Sequence, residues 1–215
     1  GVFSMDGDLA PVHDLAALAR EYDAWLMTDD AHGIGVVGAG GRGSTFAGGT
    51  KAEVDLQMGT LSKAVGGYGG YLCASKPVID LMKTRCRTLV YSTGLPPATV
   101  AAAIAALNII ESDPEYASRP LKKAQRFTQR LGLPLAESPI VPILLGDAAR
   151  TMAAQRRLED AGYLVVGIRP PTVPEGTARL RLTFTAEHSD VDIDKLADLI
   201  ADKILTGEEP FRASS

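Results

Sequence analysis

The run Thr60-Leu61-Ser62-Lys63-Ala64-Val65-Gly66-Gly67 constrains this chain more than any other. One short apolar stretch, 54–60, precedes it and another, 69–74, follows. Both read as strands, which puts Lys63 on the turn between them. Lysine rarely enters a core without a partner. The hydroxyls of Thr60 and Ser62 suit a phosphate, and the glycines leave room for a flat ring against the backbone. A solvated turn lysine is the plain alternative, so the rest of the chain must decide.

Around this turn the pattern is mixed α/β. Leu15, Leu18, Ala19 and Tyr22 recur at helical spacing, with Pro11 in a favoured first-turn place. Ala24-Trp25-Leu26-Met27-Thr28 reads as a short buried strand ending at Asp29-Asp30, and the glycine-rich stretch 33–49 reads as loop. A helix follows over about 76–85. Pro96-Pro97 opens a longer one whose alanine-rich, barely polar surface predicts burial. Asp113-Pro114 breaks it. Helices and strands then alternate: helix 115–131, strand 140–145, helix 147–161, strands 164–168 and 178–184, helix 190–204. Arg179-Leu180-Arg181-Leu182-Thr183-Phe184 alternates polar and apolar, as expected of a half-exposed antiparallel strand. These signals place a boundary near residue 112. Residues 1–112 read as part of an α/β domain, 113–209 as a small α+β domain and 210–215 as a frayed tail. The opening Gly1-Val2-Phe3-Ser4-Met5-Asp6-Gly7-Asp8 reads as a strand end running into a turn, so the sequence is expected to begin inside a fold.

A net charge of −4 gives no basic surface for nucleic acid. No apolar run reaches the roughly 20 residues that span a bilayer, and a cytoplasmic protein is the expectation. Cys73 and Cys86 form no CxxC, and His13, His32 and His188 lack zinc-ligand spacing, so no metal is expected. Both cysteines are expected to be reduced and partly buried.

Asp29-Asp30-Ala31-His32 stands at the carboxyl end of a strand, where open α/β sheets bind ligands. A carboxylate there suits a pyridinium nitrogen, and His32 suits a ring oxygen or face; a turn-capping Asp and a satisfied histidine are the alternatives. Arg169-Pro170-Pro171-Thr172-Val173-Pro174 is stiffened by its prolines and offers a guanidinium for a carboxylate, or for a surface ion pair. Gly38-Ala39-Gly40-Gly41-Arg42-Gly43-Ser44 lacks the Lys-Ser/Thr of a P-loop and reads as a mobile or tightly turned loop. Tyr91-Ser92-Thr93-Gly94 precedes the long helix, where hydroxyls and amides suit an anion.

Taken in order, Phe3-Ser4-Met5-Asp6-Gly7-Asp8, Asp29-Asp30-Ala31-His32-Gly33, Thr60-Leu61-Ser62-Lys63-Ala64, Ser92-Thr93-Gly94-Leu95-Pro96-Pro97 and Arg169-Pro170-Pro171-Thr172-Val173-Pro174 resemble the α-oxoamine synthases. These are pyridoxal 5'-phosphate (PLP) enzymes of fold type I. The resemblance implies that Lys63 holds PLP as a Schiff base and then acts as acid and base. It implies that Asp29 pairs with the pyridine nitrogen and that His32 contacts the phenolate oxygen. Ser4 and Thr60 complete the ring and phosphate contacts, and Thr93, with Ser92, reaches the phosphate of a second subunit's cofactor. Arg169 binds the amino-acid carboxylate and Thr172 lies beside it. The implied enzyme is a homodimeric acyltransferase that condenses an amino acid, here L-alanine, with an acyl-CoA or acyl carrier-protein thioester. Members of this family are nearly twice as long. The half that grips the phosphate and stacks a histidine on the ring is therefore expected to lie outside this sequence, and the isolated chain to be a poor catalyst.

Overall fold

The computed structural model describes residues 1–206; the tail expected to fray lies outside the described residues. The chain divides into two compact units. Unit 1 comprises Gly1–Phe3 and Leu9–Ser118; unit 2 comprises Ser4–Asp8 and Arg119 onward. The changeover falls between Ser118 and Arg119, inside a helix, whereas the sequence places a boundary near residue 112. Asp113-Pro114 marks the end of one helix and the start of the next: the Asp113 carboxylate accepts the Tyr116 amide at 2.9 Å and caps that start.

In unit 1, α1 (Val12–Glu21) leads into strand β1 (Met27–Asp29), followed by β2 (Leu56–Thr60) and β3 (Gly70–Ala74). The sheet order is β1-β2-β3. β1 and β2 run parallel, with Asp29 opposite Met58, while β2 and β3 run antiparallel, with Thr60 opposite Gly70. The turn 61–69 therefore rises at the carboxyl end of β2, beside the carboxyl end of β1. Helices α2 (Lys76–Arg85), α3 (Arg87–Val90) and α4 (Pro97–Ser112) follow.

Three apolar patterns of unit 1 behave differently from expectation. The buried strand read over 24–28 forms only as Met27–Asp29, with Thr28 buried but Trp25 and Met27 exposed. α4 is not a buried helix: only Ala103 is buried, and Ile104 is 54% and Ile109 52% exposed. Nothing within the described residues covers the faces that carry them. α1 forms where its spacing predicts, yet it buries Val12 and Ala16 in a small cluster with Ala52. Leu15, Leu18 and Tyr22, which carried the prediction, are exposed.

In unit 2, α5 (Pro114–Arg130) precedes β4 (Ile140–Gly146), α6 (Ala148–Asp160), β5 (Val166–Ile168), β6 (Ala178–Thr183) and α7 (Asp190–Ile200), which ends in a π-helical turn at Ala201–Leu205. β6 is the central strand of an antiparallel sheet ordered β4-β6-β5. Asp147 caps α6 by accepting the Arg150 amide, and Ser189 caps α7 by accepting that of Asp192. Phe127, Ile143, Leu158, Leu180 and Ile200 are the large side chains at the centre of a continuous core. On the outside, Arg126 pairs with Asp190 and Asp194, and Arg130 with Asp198, in a ladder from α5 to α7.

The half-exposed reading of 178–184 also needs correction. Leu180 and Leu182 do face the core, but the arginines that alternate with them are not fully solvated. Arg179 is buried and pairs with Asp6, and Arg181 is half-buried and donates through Nε to the Ser4 carbonyl at 2.6 Å. The segment Ser4–Asp8 covers this second face.

Candidate active site

Four of the sequence-predicted residues meet at one end of the unit 1 sheet. Asp29 closes β1, and its Oδ1 accepts the Ala31 amide at 2.9 Å, turning the chain so that His32 stands three residues beyond the strand end. Thr60 closes β2. Its hydroxyl lies 2.7 Å from that of Ser62 and donates to the Gly69 carbonyl at 3.0 Å, which shapes the turn that carries Lys63. Lys63 Nζ and His32 Nε2 are 2.8 Å apart, at hydrogen-bond distance across 31 residues of sequence. The Lys63 side chain is exposed and His32 half-buried.

Elsewhere in unit 1, Ser92 lies just past α3 and its hydroxyl donates to the Leu89 carbonyl at 2.8 Å. Thr93 is exposed beside it, four residues before α4. The remaining predicted residues belong to unit 2. Arg169 directly follows β5, with a guanidinium nitrogen 3.3 Å from the Met152 sulfur. Thr172 donates its amide to the Arg169 carbonyl, closing the proline turn. Ser4 offers its carbonyl to Arg181.

The glycine-rich loop is tightly turned rather than extended. It holds two 3-10 turns, Ala39–Gly41 and Ser44–Phe46, and Arg42 stacks over the Phe46 ring. Its anchor, Asp30, received no role from the sequence. The Asp30 carboxylate is buried and accepts the Ser44 amide at 2.7 Å. Burial raises its pKa above the ordinary 3.8, the Ser44 hydrogen bonds oppose that rise, and the charge of Asp29 adds to it. Burial, with help from the Asp30 charge, also pushes up the phenol of Tyr71, whose ring lies over Gly59 of β2. The sequence signal for Asp30 was only that it follows Asp29 into a glycine-rich stretch. The thiols form no disulfide, and Cys73, expected to be partly buried, is exposed on β3. At Cys86 the Thr88 hydroxyl contact lowers the thiol pKa from 9.0.

This donor set fits PLP. An amine that can carry an aldehyde, an imidazole against that amine and a carboxylate at the neighbouring strand end gather at the carboxyl end of a parallel strand pair. Such an arrangement defines a class: the PLP-dependent transferases of fold type I. A solved serine palmitoyltransferase carrying PLP has the same fold, with a TM-score of 0.87 and 32% identity over 93% of this chain and 52% of its own. More closely, the chain belongs to the class I and II aminotransferase family, whose model matches residues 1–200. The 8-amino-7-oxononanoate synthase of Beijerinckia indica is 63% identical over 201 residues, covering 94% of this chain and 52% of that protein. The 8-amino-7-oxononanoate synthase of Methylocella silvestris is 62% identical over 202 residues, covering 94% and 57%. The chain thus spans about half the length of the curated relatives it matches.

Proposed function

We propose that the complete product of this gene is a PLP-dependent acyltransferase that condenses L-alanine with a pimeloyl thioester, on CoA or a carrier protein. It would release CO2 and the free thiol and give 8-amino-7-oxononanoate, a step in biotin synthesis. The observation that carries this reading is the 2.8 Å approach of Lys63 Nζ to His32 Nε2 at the strand end that also bears Asp29. The names of the relatives at 62–63% identity support the choice of substrates.

When bound, PLP supplies an electron sink for charge left on the amino acid's α-carbon. The other roles belong to this chain. Lys63 would carry the cofactor through Nζ and, once displaced by alanine, would take the proton from the α-carbon and return it to the product. His32 would orient Lys63 Nζ and donate to the ring's phenolate oxygen. Asp29 would hold a proton on the ring nitrogen, with Ser4 and Thr60 completing the ring and phosphate contacts. Arg169 would fix the alanine carboxylate, bidentate where geometry allows, with Thr172 beside it. Ser92 and Thr93 would serve a second copy's cofactor phosphate in a homodimer, which accords with the open apolar faces of α4.

The test uses the complete gene product. Added PLP gives a visible absorbance band that borohydride traps and that Lys63→Ala lacks. Alanine with a panel of acyl-CoA thioesters gives an amino ketone, identified by mass, with the pimeloyl thioester preferred. A band that survives in Lys63→Ala, or no condensation with any thioester, overturns the reading.

A further inference from the structure

Among the described residues of unit 1, Asp30 is the charged side chain that is buried, and the proposed chemistry does not use it. Burying a carboxylate is costly unless it is hydrogen-bonded, so its retention beside the site calls for a physical account. Its backbone is tied on both sides. The Asp30 amide donates to the Met58 carbonyl of β2 at 2.8 Å, and its carbonyl accepts the amides of Gly33 and Ile34 at 3.0 and 3.1 Å. Its Oδ2 takes the Ser44 amide, 14 residues on. Gly43 and Gly33 press against the same carboxylate. A Cβ at Gly43 would stand 1.8 Å from Oδ2, and one at Gly33 would stand 2.0 Å from Oδ1.

From Ser44 the clamp reaches back to Lys63. The Gly43 amide donates to Val37 and the Gly35 amide to Gly41, which folds the loop on itself. Gly35 in turn lies against Ala64, the residue after Lys63, so closely that a Cβ there would stand 2.9 Å from the Ala64 methyl. Asp30 therefore sits two residues before His32 and, through the loop, beneath the lysine turn.

We infer that Asp30 is a positioning residue whose buried carboxylate locks the loop 33–46 so that His32 and Lys63 are held against each other. Asp29 keeps the role of ring partner; Asp30 acts through the backbone and touches no reactant. This inference rests on the PLP reading for its functional meaning, while the clamp itself can be tested without cofactor.

Three variants of the complete gene product test it: Asp30→Ala, Asp30→Asn, which keeps an acceptor for the Ser44 amide, and Gly43→Ala, which crowds the carboxylate. In cofactor-free protein, competitive acylation read by mass spectrometry reports Lys63 against Lys51 and Lys195. Asp30→Ala and Gly43→Ala change the relative Lys63 rate by about tenfold, the scale of one lost buried hydrogen bond, and Asp30→Asn changes it by less than about threefold. With PLP added, Asp30→Ala weakens cofactor binding by about tenfold and shifts the visible band, and Asp30→Asn restores both. If Lys63 labelling, PLP affinity and the band are unchanged in Asp30→Ala while only the melting temperature falls, Asp30 serves the fold alone and the inference is wrong. If the parent protein shows no PLP band but Lys63 labelling still responds to Asp30→Ala, the clamp stands and the PLP reading fails.

Discussion

The two units bury their apolar residues in opposite ways. Unit 2 closes a three-stranded sheet against α5, α6 and α7, and Phe127, Leu180 and Ile200 are fully enclosed. Unit 1 carries the candidate chemistry; it packs a small cluster of Val12, Ala16 and Ala52 and buries Val37, Leu56 and Val65 elsewhere, while Trp25, Met27, Ile104 and Ile109 lie open. The contrast teaches that stability and site need not share a core. In unit 1 the lysine turn is fixed by hydrogen bonds, close glycine contacts and the buried Val65 side chain.

Substitutions should expose that contrast most sharply in the cores. Phe127→Ala removes a ring enclosed in unit 2 and is expected to cost about 3–5 kcal/mol in denaturant unfolding. Ile104→Ala, on the open face of α4, should cost under about 1 kcal/mol in this chain, because little area leaves water there. Equal losses would break the comparison. An effect smaller than that of Phe127→Ala is expected at Asp6→Ala, which leaves Arg179 buried without its carboxylate; the half-exposed Asp6 limits the loss to about 1–3 kcal/mol. Ser189→Ala removes the cap of α7 and should cost about 1 kcal/mol, visible as faster amide exchange in the helix's first turn.

Acid should separate the units most gently, and with opposite signs. Arg126 and Arg130, through hydrogen bonds, hold Asp194 and Asp198 below the ordinary 3.8. Depressed carboxylates add stability above their unfolded pKa and lose it as pH falls through the folded value, so the α5–α7 ladder weakens below about pH 4. Asp30 is raised, chiefly by burial. Its contribution is fullest below 3.8 and is lost as pH rises through its folded value. Amide exchange followed across pH should therefore flatten at low pH in Asp194→Asn around α7. It should flatten on the rising side in Asp30→Asn around Val37 and Gly43. Identical pH profiles for the two variants would contradict the assignment.

Much of this was legible in the sequence because it is local. The strands flanking Lys63, the helix over 76–85 and the place of Asp29 at a strand end follow from period, length and punctuation. What escaped was whatever depends on a distant partner. An apolar composition cannot say which surface covers it, so α4 read as buried. The spacing of Leu15, Leu18 and Tyr22 predicted a helix but not which face would pack. Asp30 meets Ser44 only after the loop folds back, and the burial of Arg179 depends on Asp6, 173 residues away. Period-two alternation reports two faces; it does not report that a returning segment has roofed one of them.

That roof makes the architecture discontinuous. Ser4–Asp8 belongs with residues 119 onward, although the chain on either side of it belongs to unit 1. No single cut can release unit 2 whole. A piece beginning at Arg119 would leave behind the carboxylate of Asp6 and the carbonyl of Ser4, stranding two arginines on the central strand. Anyone dissecting this molecule must graft that five-residue strip onto the later segment, or permute the chain to join them.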